Sequence, residues 1–435
     1  ELQILQSLGS LALSQQQKDK MVGFYEQALS ITRETKNRRQ ELSTLLRLGS
    51  IYYTHGPRAK VIETYQAALP IAQDFKDYTA LTIILGNLGD AAENNEKRLK
   101  LYEDALEVAA KAGDKARKAD LLQAVCSTQR ALGNIEKAIT ACEQAIPLTR
   151  ETGYFQAEVL ALRNLGETWA QVFQYEKTMS LFQEALAIAQ KNKHQGATTS
   201  ARAALGALHV FLGQYEKARE YLEEDLQATP FRGNTGQAQG WRNLAQIYLA
   251  NKQPEKALEI YEKLHAYYKE DAPNGLAMAR SMFDIGTTYN VMGRYEEAQG
   301  QIETALQMYL RIEQPHALAS LYLGLGNVLQ SRKQYDGALL RHQQALLLSR
   351  QYPTGTPYEA PYHEQLMRDW QALGNPALAI FFGKQAVNAS QDVRLNLRNL
   401  EKDLQQSFLK SKEQTYRELA DLLISQGRLP EAEQV

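Results

Sequence analysis

A repeat of about 40 residues runs through this 435-residue chain and constrains its fold more than any other feature. Self-similarity at a fixed period between 20 and 50 residues is typical of a repeat architecture, in which stacked units replace a single central core. One column of the repeat holds mostly glycine, at Gly9, Gly49, Gly89, Cys126, Gly166, Gly206, Ala245, Gly286, Gly326 and Met367. A second column, nineteen residues on except in the third repeat, consists of Ala28, Ala68, Ala105, Ala145, Ala185, Asp225, Leu264, Ala305, Ala345 and Ala386.

Each repeat is predicted to form a hairpin of two helices. In the fifth repeat, Leu162, Leu165 and Trp169 are spaced three and four apart, as are the apolar residues after the turn at 173–175. This spacing is typical of amphipathic helices, whereas no useful stretch alternates with the period of a strand. Small residues in both columns indicate that the two helices cross closely, because a larger side chain would overpack the contact.

Sequences such as Tyr-Glu-Lys-Ala at 215–218, Gln-Pro-Glu-Lys-Ala at 253–257 and Tyr-Glu-Glu-Ala at 295–298 resemble the tetratricopeptide repeat (TPR) family. This resemblance implies an all-α fold, a right-handed TPR superhelical solenoid of about ten to eleven helical hairpins. The period near 40 exceeds the usual 34 of the family. The repeat is in this respect similar to the longer-helix arrays of the kinesin light chain and of the spindle-orientation adaptors.

The last part of the chain departs from the repeat. We expect ten TPR-like hairpins in residues 1–388, and in 389–435 a long helix followed by a truncated last hairpin. Because Val393, Leu397, Leu400, Leu404 and Phe408 recur every three or four positions, one helix is predicted from about 392 to 424. Its partner stops at Val435, so we expect the natural chain to continue into a further domain. Surface loops are predicted at 229–234, 272–275 and 352–357.

Residues 379–388, 404–409, 415–423 and 427–432 resemble the junction between the repeat array and the caspase-like domain of bacterial TPR–CHAT proteins. The resemblance implies that this chain is the regulatory or substrate-recruiting array of such a protein. The catalytic His and Cys of the CHAT domain would lie beyond Val435, so no enzymatic activity is expected of the chain itself. The alternative hypothesis is a regulator whose array senses a peptide or small ligand.

Other functions find little support in the composition. The net charge of −1 provides no electrostatic reason to expect nucleic acid or an anionic membrane as partner. No apolar run is long enough for a membrane span, and two cysteines favour a cytoplasmic location. The seven histidines lack metal-ligand spacing, so neither a metal nor a cofactor is expected. Cys126 and Cys142 occupy packing positions and are interpreted as small buried hydrophobic side chains.

The predicted partner-binding surface consists of polar residues on the first helix of each hairpin, opposite the packing columns. First helices line the concave face of such arrays, and Arg and Asn can hold the carboxylates and backbone amides of a protein or peptide segment. The array therefore is expected to bind protein, with Arg163 and Arg242 as exposed cations in the groove. The candidate residues are Asn87, Arg163, Asn164, Glu167, Arg242, Asn243, Gln246, Arg280, Thr287, Asn290 and Asn327.

Overall fold

The computed structural model describes residues 2–14, 18–228, 235–271, 275–311, 317–351, 359–398 and 400–435. These residues form helices and no strand, which confirms the all-α helical solenoid. The predicted loops at 229–234, 272–275 and 352–357 lie outside the described residues, apart from Gly275, which precedes the helix that begins at Leu276. The helices are α1 (Leu2–Ser14), α2 (Lys18–Glu34), α3 (Arg38–His55), α4 (Arg58–Asp74), α5 (Tyr78–Asp90), α6 (Asn95–Ala112), α7 (Lys115–Ala131), α8 (Ile135–Thr152), α9 (Phe155–Gln171), α10 (Tyr175–Lys191), α11 (Gln195–Phe211), α12 (Tyr215–Ala228), α13 (Thr235–Ala250), α14 (Pro254–Asp271), α15 (Leu276–Val291), α16 (Tyr295–Arg311), α17 (Leu318–Ser331), α18 (Tyr335–Gln351), α19 (Ala360–Ala372), α20 (Pro376–Asn396), α21 (Lys402–Ser425) and α22 (Leu429–Ala432).

Short polar residues start several of these helices. The Asp77 side chain accepts a hydrogen bond from the Ala80 backbone N–H at 3.0 Å, and Asp114 accepts one from Arg117 at 2.9 Å. Asn94 does the same for Lys97 at 2.8 Å. Each side chain satisfies a backbone donor that has no partner inside the helix, which places the helix start after these residues.

The chain divides into two compact units, residues 1–164 and residues 165–435. Within the first unit, consecutive helices pack in pairs, as α3 with α4 and α7 with α8 do. The second unit continues the pattern, for example in α15 with α16 and α17 with α18. Within each unit, the second helix of a pair also packs against the first helix of the next pair, as α4 with α5 and α14 with α15 do, which is expected when neighbouring hairpins bury a continuous core.

The glycine column faces the second helix of the same hairpin, at a residue sixteen positions on, or thirteen in the third repeat, where Gly89 faces Tyr102. A Cβ atom added at Gly49 would lie 2.6 Å from Cζ of Tyr65, and one added at Gly166 would lie 2.5 Å from Cε1 of Phe182. Such distances are far below van der Waals contact, so glycine here makes room for a large facing side chain. The sequence analysis identified the small residues but not this large partner. The alanine column is buried as well, with Ala68 fully inaccessible to solvent.

The tenth hairpin reverses the arrangement. Met367 stands in the glycine column, and the facing residue is Gly383, where an added Cβ would lie 2.8 Å from the Met367 sulfur. One large and one small side chain therefore meet at this crossing too, with their helices exchanged. The volume of the pair is maintained while the identity of each position is not.

The fourth hairpin replaces this contact with a covalent bond. Cys126 stands in the glycine column and Cys142 in the facing column, and their sulfur atoms form a disulfide across a Cα–Cα distance of 5.4 Å. Both residues are fully buried. The interpretation of the two cysteines as separate hydrophobic side chains is therefore wrong, because the close crossing of α7 and α8 brings the two Cβ atoms within bonding range.

The predicted helix from 392 to 424 is also wrong. Residues up to Asn396 belong to α20, the last helix of the tenth hairpin, and α21 begins only at Lys402. The Gln405 side chain donates to the Leu400 carbonyl at 2.8 Å, so it satisfies backbone groups at the break. The apolar residues of this region still share one face, but two helices contribute to it.

None of the described helices is both long and apolar enough to cross a membrane.

Candidate functional site

In the first unit, the predicted binding residues are largely used for packing. The Asn87 amide donates to the Tyr65 hydroxyl at 2.7 Å, which joins the second hairpin to the third. Asn164 is buried, and Arg163 is half-buried. The expectation that these side chains project into solvent is wrong for Asn164, because the first helices are covered by their neighbours more completely than the sequence pattern indicated.

In the second unit, Arg242 forms a buried ion pair instead of an exposed cation. Its Nε and NH2 groups lie 2.6 and 2.8 Å from the two carboxylate oxygens of Asp284, and the side chains are only 11% and 8% exposed. Burial by itself lowers the pKa of Arg242. The hydrogen bond to Asp284 and the negative charge of that carboxylate outweigh burial, so the pKa of Arg242 is raised. The prediction of an exposed Arg242 is therefore wrong.

Asp284 was missed in the sequence analysis. It lies on α15, two residues before Gly286, while Arg242 lies on α13, three residues before Ala245. An Arg and an Asp at nearly equivalent positions of successive first helices are a recognisable signal of an ion pair between repeats.

The remaining candidates on α13 and α15 divide into buried and accessible residues. Asn243 is buried, donates to the Ala203 carbonyl at 3.2 Å and accepts from Gln239 at 2.8 Å, so it links two hairpins. The Thr287 hydroxyl donates to the Asp284 carbonyl at 2.9 Å. Asn290 is half-buried, whereas Gln246 is exposed.

Arg280 is the candidate best placed to meet a partner. The residue is exposed, and within the described part of the chain no carboxylate lies close enough to form an ion pair with it. Desolvation by the surrounding side chains, followed by the positive charge of Arg242, lowers the pKa of its guanidinium. Tyr268 of α14 and Tyr309 of α16 lie near enough to interact with it electrostatically.

The tyrosines around Arg280 stay neutral. Burial raises the pKa of both Tyr268 and Tyr309, and the positive charges of Arg242 and Arg280 offset this shift only in part. Arg242, Arg280 and Asp284 together carry one net positive charge at neutral pH. An anionic group binding beside Arg280 would neutralise that charge, so this cluster favours a carboxylate ligand over a cationic one.

Asn327 contributes to a buried network and not to an open surface. Its side-chain oxygen lies 3.1 Å from Nε2 of His342, while Nδ1 of His342 lies 2.5 Å from the Asp369 carboxylate. The Gln330 amide donates to the other Asp369 oxygen at 2.7 Å. Both ring nitrogens of His342 therefore have a hydrogen-bond partner. Both His342 and Asp369 are fully buried, so the network links α17, α18 and α19 within the core.

Glu167 is half-buried at the start of the second unit. Across the described residues, no group of three or more His, Cys, Asp or Glu side chains could hold a metal ion.

A surface that the sequence analysis missed lies on α10 and α11. The apolar residues around the break between α20 and α21 pack against it and form one buried cluster with Tyr175, Met179, Phe182, Leu205, Leu208 and Leu212. The contributing residues are Val393, Leu397, Leu404 and Phe408, all at most 5% exposed. The Phe408 ring lies 5.8 Å from that of Phe211, centre to centre. The chain thus returns to a hairpin much earlier in the sequence.

A cavity of about 610 Å³ adjoins this cluster. Its walls come from α10, α11, α12 and the break before α21, and they include charged side chains of both signs. His209 lines it, stacks on Tyr221 at 5.4 Å and shares a hydrogen bond with Gln214 at 2.8 Å. Desolvation lowers the pKa of His209, so its ring is neutral near pH 7.

Comparison with curated proteins finds no match. Among solved structures, BtubC (BKLC) from P. vanneervenii is similar, with 21% sequence identity and a TM-score of 0.42. The alignment covers 50% of this chain and 91% of the BtubC chain. A human IFIT1 dimer with PPP-AAAA shows 15% identity, 89% and 90% coverage, and a TM-score of 0.49.

Comparison with family models completes the identification. Three models, each described as a tetratricopeptide repeat, match separate parts of the chain. The matches fall in both compact units and agree with the paired helices described above. The chain therefore contains tetratricopeptide repeats, recognised at residues 2–35, 199–230, 236–311 and 318–352.

Proposed function

We propose that this chain is a protein-interaction scaffold that docks an acidic segment of a partner protein, with Arg280 as the anchoring cation. Tetratricopeptide repeats support the general role of protein binding. The observation that carries the specific proposal is an exposed guanidinium group without a carboxylate of its own among the described residues. A carboxylate from a partner would supply the missing charge.

The surroundings of Arg280 suit this role. Arg242 and Asp284 already pair with each other through two hydrogen bonds, so Asp284 is not free to neutralise Arg280 fully. The neighbouring tyrosine side chains exclude part of the solvent, which strengthens an added charge-assisted hydrogen bond. Gln246 is exposed on α13, the helix of Arg242, and supplies an amide for the backbone of an extended segment.

The first step of the test is to identify a partner by photo-crosslinking. A photoreactive amino acid at Gln246 should capture a protein that the same group at the exposed Gln414 does not capture. The captured protein is then purified, and its affinity for the wild-type chain is measured by calorimetry.

The second step compares variants of the chain with the purified partner. Arg280→Ala should weaken binding by about 10- to 150-fold, since a hydrogen bond to a charged group contributes about 1.5–3 kcal/mol. Arg417→Ala serves as the control, because Arg417 is 74% exposed on α21. Equal affinities of the two variants and the wild type would show that Arg280 does not anchor the partner.

We also propose that the array is the regulatory or substrate-recruiting part of a caspase-like CHAT protein. The support is the resemblance of residues 379–388, 404–409, 415–423 and 427–432 to the junction in TPR–CHAT proteins. The coding sequence downstream of Val435 tests this proposal directly. An α/β domain with a His and Cys dyad would support it, whereas a DNA-binding module would contradict it.

A peptide- or small-ligand-sensing regulator is the second candidate, and the 610 Å³ cavity favours it. A ligand-dependent rise in melting temperature that Arg202→Ala and Lys217→Ala abolish would distinguish this role from the first. No response to a metabolite and peptide library would count against it.

The other parts of the functional prediction remain predictions. Binding of nucleic acid is not expected from a net charge of −1. A cytoplasmic location is also untested, and the buried Cys126–Cys142 disulfide is of a kind more common in oxidising compartments.

A further inference from the structure

The surface on α10 and α11 already holds a segment of the chain in the way that a docking site holds a helical peptide. We call residues 393–398 and 400–408 the C-terminal segment, and we call the apolar face of α10 and α11 that contacts it the docking surface. Val393 and Leu397 at the end of α20 are four residues apart, as are Leu404 and Phe408 on α21, and all four are buried in one cluster with the docking surface. Such spacing is typical of anchors on a helix that lies in a groove.

The contact is apolar and close. Val393, Leu397, Leu404 and Phe408 of the segment are buried together with apolar side chains of α10 and α11. At Gly213, in the turn after α11, an added Cβ would lie 2.7 Å from the Ser407 carbonyl oxygen. The backbone of α21 therefore rests directly on this turn. Packing between buried apolar side chains depends on excluded water and shape, so an apolar helix with matching anchors can compete for the same surface.

The C-terminal segment fills only part of the site. Beside Leu400 and Leu404, the cavity extends to Glu176, Lys217 and Glu220 on α10 and α12. Leu400, Glu401 and Leu404 of the segment form one wall of this cavity, and a volume of about 610 Å³ stays open beside them. A longer amphipathic helix with apolar anchors and charged flanks would contact the apolar cluster and fill this volume, which the internal segment does not do.

The two halves of α21 have different surroundings. Residues Leu419, Leu422 and Leu423 pack with α19 and α20 as the next layer of the array. Phe408 and Leu404 belong instead to the cluster with α10 and α11. The first half of α21 is therefore separated from α20 by the break and packs in a different cluster from the second half.

Resting on the proposed role in protein binding, we propose that the docking surface is a second, helix-binding site. The C-terminal segment occupies it in cis and competes with an amphipathic helix of a partner protein. The segment is thus an internal competitor, and partner binding at this surface requires its displacement.

The experiment uses the full chain and a fluorescein-labelled synthetic peptide of residues 391–411. Leu404→Glu/Phe408→Glu is the release variant, because two buried carboxylates cannot remain in the apolar cluster. In fluorescence anisotropy, the peptide should bind the release variant at least tenfold more tightly than it binds the wild type. Adding Phe211→Ala to the release variant should remove this gain, since Phe211 contacts Phe408.

Two controls address folding and specificity. A peptide carrying the same two glutamates should bind neither protein. Circular dichroism must show unchanged helicity in the release variant. If the helicity of the release variant falls, Phe408→Ala, which buries no charge, is used in its place. The peptide should then bind at least threefold more tightly than it binds the wild type.

Equal affinity of the peptide for the wild type and a folded release variant would overturn the proposal. It would also be overturned if the wild type sediments as a dimer and the release variant as a monomer, because the segment would then belong to a second copy. The dependence of partner affinity on Arg280 is measured in a separate experiment. A failed peptide-binding test would therefore leave the proposed function intact, and a failed Arg280 test would leave the peptide-binding result intact.

Discussion

The Arg242–Asp284 pair allows the sharpest test of the structure, because the sequence pattern and the structure predict opposite results for Arg242→Ala. An exposed arginine can be truncated at a cost within about 0.5 kcal/mol of the free energy of unfolding. In the structure, the truncation leaves Asp284 buried without its two hydrogen bonds. Removing one partner of a buried ion pair typically costs about 3–5 kcal/mol.

The expected loss lies near the lower end, at about 3 kcal/mol, because Arg280 is close enough to interact with Asp284 electrostatically. Asp284→Ala should cost at least as much, since it leaves two arginines facing each other without an anion. The double variant Arg242→Ala/Asp284→Ala should lose less than the sum of the two single variants, because neither charge is then left unpaired.

Equilibrium urea unfolding at pH 7 measures these differences, with circular dichroism for the whole chain. Tryptophan fluorescence adds a second signal, to which Trp241, the residue before Arg242, contributes together with Trp169 and Trp370. Arg417→Ala is the matched control and should be neutral within about 0.5 kcal/mol. A loss of 0.5 kcal/mol or less for Arg242→Ala, together with additive single variants, would refute the buried pair.

Three further predictions concern the hairpin contacts and a buried histidine. Cys126→Ala/Cys142→Ala should lower the free energy of unfolding by about 3 kcal/mol, as expected for a loop of this length; equal stability with and without a reductant that frees both thiols would contradict it. In thermal melts, Gly166→Ala should destabilise the fold by about 1–3 kcal/mol, because the added methyl group overpacks the contact with Phe182. Gly300→Ala should instead stabilise the fold by about 0.5–1 kcal/mol, because the position on α16 has open space around it. The pKa of His209 is lowered in the folded chain, so the unfolded chain binds the proton more readily and the free energy of unfolding should fall as the pH drops below about 6.5. His209→Gln should reduce this loss between pH 7.5 and 5.5, and an unchanged pH profile of stability would show that His209 is not its source.

The sequence predicted the fold well because the repeat carries its information at fixed spacing. Glycine in one column and alanine in another indicated a close helix crossing, and Gly49 and Ala68 lie at such a crossing. The facing residue sixteen positions on was visible too, but its type varies from Tyr65 to Leu222, so it shows no column of one residue type. Pair volume, and not residue identity, is what these contacts maintain.

The candidate site was predicted less well, for a physical reason. A polar residue on the outer face of a first helix can point to solvent or to the next hairpin. The sequence of its own repeat does not determine which of these two environments it has. Arg242 and Asn243 form hydrogen bonds with groups of adjacent hairpins, whereas Arg280 has no carboxylate partner among the described residues. The return of Phe408 to α11 is a contact across about 200 residues, for which a local pattern contains no signal.

The exchange of large and small residues between Met367 and Gly383 has a consequence for modular engineering of this chain. Its hairpins have similar sequences, yet the side-chain volumes at each helix crossing are matched within one hairpin. A chimaera that joined the Met367 helix to the helix of Tyr65 would place two bulky groups at one crossing. The reciprocal chimaera would set Gly49 against Gly383 and leave an empty space there. Transplantation between repeats should therefore move whole hairpins, with the cut made in the connections between them.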